Sequence, residues 1–302
     1  MTLYSLAESN IRKTWFYLIT FLLFIIFLGW LISWLVQSYV ILWIAVGYSI
    51  ITAIVSYWHS DKIVLAISKA KEIEKKDNPE LYRLVENLCI TAGLPLPKIY
   101  IIDSPQPNAF ATGRDPKHSA IAVTTGLLEK LERSELEGVL AHELSHIKNR
   151  DTLLATVVVI LVGIVVTLTD IFFRVAFWGG IGRRDSRNGG GAINLVVILV
   201  ALVFAALAPL CATLIKLAIS RKREFLADAS GALLTRYPEG LARALEKISQ
   251  DTHPLKTANN STAHLYIVSP FRGKERKGFL RKLFSTHPPV EERIKALRGM
   301  KI

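Results

Sequence analysis

His142-Glu143-Leu144-Ser145-His146 is the stretch on which the reading of this chain turns. On a helix, His142 and His146 lie one turn apart on the same face, so their imidazoles can bind a single Zn²⁺. Glu143 follows the first of them directly, where its carboxylate reaches a metal-bound water without being a ligand. The pattern has three fixed letters and occurs by chance, so its surroundings decide. Residues 134–141 lead into it with Leu136, Val139 and Leu140 at helical spacing, and Ser134 with Glu137 fits a capping box at the helix start. A zinc peptidase needs in addition a third protein ligand and an open coordination position.

The stretch Arg223-Glu224-Phe225-Leu226-Ala227-Asp228-Ala229 offers that ligand. Glu224 and Asp228 are four apart and share a helix face. Glu224 from a second helix would complete a two-histidine, one-glutamate set, and Asp228 is placed to accept the outer N–H of a ligating histidine and fix its tautomer. The competing reading pairs these acids with Arg221, Lys222 and Arg223 on a solvated surface. Against it, the pair follows an apolar segment just as the histidine motif precedes one. Among other histidines, His59, His118, His253 and His264 have no metal-like spacing. His287, in Ser285-Thr286-His287-Pro288-Pro289, is either a solvated loop residue or a catalytic donor to the oxyanion of a tetrahedral intermediate.

The chain has 302 residues, 51% of them hydrophobic, which is too apolar for an ordinary soluble domain. Four apolar stretches account for this: Trp15 to Val36, Val40 to Trp58, Leu153 to Trp178 and Ile193 to Ile219. Each approaches or exceeds the ~20 residues that cross a hydrocarbon core. The first exceeds the apolar region of a signal peptide and no cleavage site follows it, so it reads as a membrane helix. The last two, interrupted by Asp170, Arg174 and Lys216, are read as spanning, with a hairpin folded against the protein as the rival. Residues 1–58 then hold two membrane helices, 153–219 a hydrophobic hairpin, and 59–152 with 220–302 the two parts of one catalytic domain. Those parts carry thirteen and seventeen Lys/Arg, which puts them in the cytoplasm and the protein in the plasma membrane as a multi-pass protein. The net charge of +12 suits anionic headgroups; no recognition motif points to nucleic acid. Cys89 and Cys211 form no C-x-x-C pattern, and no disulfide is expected.

Between the motifs, residues 59–92 read as helical, with apolar positions from Ile63 to Ile73 at helical spacing and a fresh start at Asn78-Pro79. Lys98 to Ile102, Asn108 to Gly113 and Ala120 to Thr124 read as strands, followed by a short helix from Thr125. The edge at Asn108, Ala109, Phe110 and Ala111 is the candidate to bind substrate as an added strand beside the metal, and Asn108 a second candidate for the oxyanion.

Together, Asn108–Gly113, His142–His146 followed by Asn149-Arg150-Asp151, the Ser220-Arg221…Glu224…Ala227-Asp228 segment, Thr286-His287-Pro288 and the flanking apolar segments resemble the HtpX-type membrane-bound zinc metalloproteases, which are related to the CaaX prenyl proteases. The resemblance covers nearly the whole chain and is weakest over 251–285. It implies one zinc per chain on His142, His146 and Glu224, Glu143 as catalytic base, Asp228 behind a ligand, and His287 near the site. It implies a mostly helical α+β membrane protein with a gluzincin-like catalytic domain, a small β-sheet and about four transmembrane helices. The expected activity is hydrolysis of misfolded or damaged membrane proteins in quality control and stress response. The alternatives are a CaaX-type protease for lipidated C-termini, or a non-enzymatic membrane protein with a structural metal; oligomeric state is left open.

Overall fold

The computed structural model describes residues 3–36, 38–178, 221–253, 262, 265–268 and 288–300. The N-terminal apolar stretches form α1 (Leu3–Val36) and α2 (Tyr39–Trp58). After an 81° bend the chain continues as α3 (Ser60–Ile67). That helix stops short of Ile73, because Lys69 turns left-handed at φ 54° and Lys71–Glu72 pair as β1, a strand the helical spacing had concealed. Then come α4 (Pro79–Ala92), β2 (Lys98–Ile102), β3 (Ala109–Asp115), β4 (His118–Thr124), α5 (Thr125–Lys130), α6 (Arg133–Lys148) and α7 (Asp151–Trp178). Past residues 179–220 the chain forms α8 (Arg221–Thr235), α9 (Pro238–Gln250) and α10 (Val290–Arg298). Helix α4 begins where expected: the Asn78 side chain accepts from the Leu81 amide and Pro79 occupies the first turn. Helix α6 begins earlier than expected. Its box uses Glu135, whose carboxylate accepts the Glu132 amide at 2.9 Å, in place of Ser134 and Glu137.

The sheet is mixed, in the order β1-β2-β4-β3, with β2 parallel to β4 and the other pairs antiparallel. Both faces are covered, which is why β3 and β4 read as near-continuous apolar runs. One face, with Ile99, Ile121 and Val123, packs on α4 and α6 through Leu84, Val85, Leu140 and Leu144. The other, with Ile102, Phe110 and Ala122, packs on α3 and α7 through Val64, Leu65 and Val159. A third cluster joins α1 to the start of α7: Tyr17, Leu18, Phe21 and Ile25 against Leu153, Leu154, Val157 and Val158. The first half of the third apolar stretch is thus buried within the protein.

Among the described residues one helix, Glu8–Leu31, is long and apolar enough to cross a membrane, or up to two if the bent pair Leu42–Trp58 and Ser60–Ile67 counts as one span. The fourth apolar stretch, 193–219, lies outside the described residues, as does Cys211. The outward faces of α1 and α2 expose Trp15, Phe16, Trp30, Trp34, Trp43 and Trp58, a pattern suited to lipid and its interfaces.

Helices α6 and α8 touch backbone to backbone at Gly231. A Cβ there would sit 3.0 Å from the His142 nitrogen and 3.2 Å from its Cα. Gly231→Ala is therefore expected to push α8 off α6 and destabilise the protein by ~1–3 kcal/mol. Thermal unfolding of the detergent-solubilised protein checks this; a melting temperature at or above that of the parent protein would count against so close an approach.

Candidate active site

Helix α6 carries His142, Glu143 and His146, and α8 brings Glu224 against the two histidines. His142 and His146 turn their Nε2 atoms toward each other at 3.2 Å. Glu224 Oε1 lies 3.6 Å from Nε2 of His146, and Oε2 lies 4.0 Å from that of His142. The ligand atoms of the three residues all fall within 4.8 Å of one another. Tetrahedral zinc with bonds of ~2.0–2.1 Å separates neighbouring ligand atoms by roughly 3.3 Å, so the donors match a zinc ion in type and nearly in spacing.

The outer nitrogen of each histidine meets a carboxylate. His146 Nδ1 is 3.0 Å from Asp151 Oδ2. His142 Nδ1 is 2.9 Å from Asp228 Oδ1, a close polar contact outside hydrogen-bond alignment. With the outer nitrogens turned toward these carboxylates, the two Nε2 atoms face each other at a distance that suits either a shared proton or a metal ion that replaces it.

Asp228 is held in turn by Arg293. The guanidinium donates from Nε at 2.8 Å and from Nη2 at 2.6 Å, a two-pronged pair with Arg293 1% exposed and Asp228 fully buried. Nη1 of Arg293 donates to the Ile267 carbonyl and lies 3.7 Å from Glu224. Burial alone would raise the Asp228 carboxyl, but the charge and hydrogen bonds of Arg293 together with His142 outweigh it and bring the group down to about 2. Burial depresses His142. Burial also works against a charged His146, yet the Asp151 hydrogen bond and the Glu224 charge push its pKa up to about 9. Glu143, 2% exposed, is pushed up to about 7, chiefly by burial, although the His146 charge and a hydrogen bond from the Ala111 amide pull it down.

Asp151 entered the sequence reading only as the end of the Asn149-Arg150-Asp151 run, without a role, and Arg293 not at all, though each left a signal. Asp151 is the first residue of α7, next to Arg150, whose left-handed φ of 55° folds the chain back at the end of α6. Arg293 lies on the stripe Val290, Ile294 and Leu297 that packs on the core, a charge at an apolar position. His287 lies outside the described residues.

Strand β3 is an edge strand, as expected, but its outward side is not open at the positions named. Ala109 accepts from the Ile267 amide at 3.1 Å, Ala111 donates to Glu143, and Gly113 accepts from the Thr152 hydroxyl at 3.0 Å. The Asn108 side chain donates to the Val268 carbonyl and accepts from the Ala109 amide, and Phe110 packs edge-on against Tyr266. These residues back the site; an edge strand is commonly covered in this way.

Residues 75–301 match the peptidase family M48. Among curated proteins, a protease HtpX homolog from Thermoanaerobacter pseudethanolicus is 45% identical over 99% of this chain and 98% of its own length. Another from Listeria monocytogenes is 42% identical over 99% and 100%. A third from Tropheryma whipplei is 50% identical over 86% and 84%. Among solved structures, the crystal structure of S. mikatae Ste24p aligns over 95% of this chain and 67% of that one, with a TM-score of 0.48 and 20% identity.

The His146 shift has a measurable consequence. Its metal-free pKa of about 9 lies above the ordinary value of 6.5, so near pH 7.5 the ring holds a proton that a metal must displace. Metal binding at that pH is expected to release about one proton from this residue, measured by titration calorimetry in two buffers of different ionisation heat. In the metal-free protein the same shift adds stability below pH ~6.5 that is lost as the pH rises through about 9. Uptake of zinc without proton release would contradict the Asp151 and Glu224 influence on His146.

Proposed function

We infer the reaction from one premise: this chain belongs to peptidase family M48, and it is a membrane-bound metalloendopeptidase. The metal is proposed to be one zinc ion per chain, held by His142, His146 and Glu224. The observation that carries this assignment is the pair of imidazole nitrogens 3.2 Å apart, with a carboxylate behind each ring and Glu224 beside them. Bound there, zinc would act as a Lewis acid on the scissile carbonyl and lower the pKa of a coordinated water toward ~7.

Glu143 is the proposed base. It takes the proton of the attacking water and hands it to the leaving amine, a two-way task that suits a carboxyl with pKa about 7. The Ala111 amide holds that carboxylate in place. Asp228 and Asp151 keep the outer nitrogens of the two histidines protonated, and Arg293 keeps Asp228 ionised. His287 is the proposed donor to the developing oxyanion.

The substrates are polypeptides, and the proposed class is misfolded or damaged membrane proteins, as the kinship with HtpX proteases suggests. The proposed topology keeps residues 1–58 as two membrane helices and 153–219 as a hydrophobic hairpin, with about four spans and the catalytic parts 59–152 and 220–302 in the cytoplasm. Its support is that ligands from both catalytic parts share one site, so both lie on one side of the membrane, and that both are rich in Lys and Arg.

The test uses purified full-length protein and an unfolded model substrate, with and without chelator. Glu143→Gln is expected to keep one zinc per chain while hydrolysis falls by about 10²–10⁴-fold. Glu224→Ala is expected to lose the metal. Undiminished cleavage by zinc-loaded Glu143→Gln would remove Glu143 as base, and a full complement of zinc in Glu224→Ala would move the third ligand to His287 or Asp228.

A further inference from the structure

Asn10 lies near the start of α1, before the apolar stretch, yet it is 2% exposed. Its side-chain amide makes three hydrogen bonds to two other parts of the chain. Nδ2 donates to the Asn149 carbonyl at 3.1 Å and to Asp151 Oδ1 at 2.7 Å, and Oδ1 accepts from Arg223 Nη1 at 2.9 Å. Asp151 uses its other oxygen on His146, at 3.0 Å. Arg223 directly precedes Glu224, and its Nε lies 3.7 Å from Asp151. One amide from the N-terminal helix therefore grips both segments that hold the metal-site side chains: the α6–α7 junction behind His146 and the first turn of α8. The neighbours along α1 fit this role. Thr14 is fully buried one turn on, and Tyr17, Leu18 and Phe21 continue the same face into the cluster with Leu153 and Leu154.

An apolar residue of similar bulk could fill this space but would make none of these three hydrogen bonds. An amide that donates twice and accepts once fixes the orientation of the Asp151 carboxylate and the Arg223 guanidinium together. Groups standing behind a metal ligand in this way set ring orientation and metal affinity.

We propose that Asn10 is a positioning residue of the metal centre, by which the N-terminal apolar helix sets His146, through Asp151, and Glu224, through Arg223. The inference rests on the ligand set proposed above. It makes α1 part of the hydrolytic unit as well as its anchor: a displacement of this helix would alter the metal site without touching a ligand.

The experiment uses the full chain in detergent micelles, with Asn10→Leu, which keeps the bulk and removes the hydrogen bonds, and Asn10→Ala should the leucine variant fail to fold. The zinc dissociation constant is measured by chelator competition, the visible spectrum is recorded with cobalt in place of zinc, and the melting temperature of the metal-free protein is followed alongside. The expected result is zinc binding about 10-fold weaker, near the lower end for groups behind a ligand, with a shifted cobalt spectrum. In an Asp151→Ala background, Asn10→Leu is expected to weaken zinc binding by less than in the parent, only by the part carried through Arg223, since the link to His146 is already cut. A lower metal-free melting temperature with an unchanged zinc constant and cobalt spectrum would make Asn10 a packing residue and overturn the proposal. His146→Ala separates the two levels of the argument. Full zinc occupancy in that variant would sink the ligand assignment itself, whereas loss of zinc there with unchanged affinity in Asn10→Leu would sink only the role of Asn10.

Discussion

Buried charge that water cannot screen is the constraint around which this protein is arranged. Glu143, Glu224, Asp228 and Asp151 are all nearly or wholly buried, and so are Arg223 and Arg293. Two guanidiniums against four carboxylates leave two negative charges when all are ionised, which a divalent cation would balance. The raised pKa of Glu143 comes chiefly from burial: a carboxylate held out of water is reluctant to ionise. A cation between the facing imidazoles would ease all these groups at once, so metal binding and the order of the site are coupled.

The scaffold answers that constraint by close backbone approach. Glycine at 231 lets α8 lie directly on α6 at His142, and glycine at 138 does the same for α9, where a Cβ would stand 2.7 Å from the Leu241 nitrogen. Side chains as short as Asp and Glu can then cross between helices and meet. The sheet contributes from below: β3 gives an amide to Glu143 and a carbonyl to the Thr152 hydroxyl, so the strand and the α6–α7 pair are registered against each other. The segment 265–268 closes the remaining edge and gives the Ile267 carbonyl to Arg293.

What could be read from the sequence follows from what kind of information spacing carries. That His142, His146 and Glu224 would lie together was legible because metal chemistry demands particular residue types at helical intervals, and β2 matched its expected bounds because an apolar run between breaks is local. The misreadings concern partners. Glu135 and Ser134 are both reasonable at a helix start, and the contact of Glu135 with Lys247, 2.7 Å away on α9, is tertiary. Strand β3 could be recognised as an edge, but not that residues 265–268, far along the chain, would lie on it. Arg293 and Asn10 meet groups distant in sequence, and each signalled itself only as a polar residue where the local pattern called for an apolar or indifferent one.

The position of Asn10 also bears on where hydrolysis takes place. From Trp15 to Trp34 helix α1 rises about 28 Å at 1.5 Å per residue, close to the ~30 Å of a hydrocarbon core. Both tryptophans are exposed on the outer surface. Near the Trp15 end, Tyr57 stacks on Trp15 with centroids 5.2 Å apart, and Arg114 from the end of β3 lies 4.6 Å over the neighbouring Trp58. With α1 across the bilayer, this aromatic and basic girdle marks the headgroup layer. Asn10 then stands roughly 7–8 Å beyond Trp15, and Asp151 and His146 follow within two hydrogen bonds. With α1 so placed, the proposed metal site would lie at the level of the membrane surface. At that level, the proposed membrane-protein substrates would need only a short unfolded segment beyond their last membrane-embedded residue to reach it, whereas a folded domain held well above the surface would have to unfold to approach.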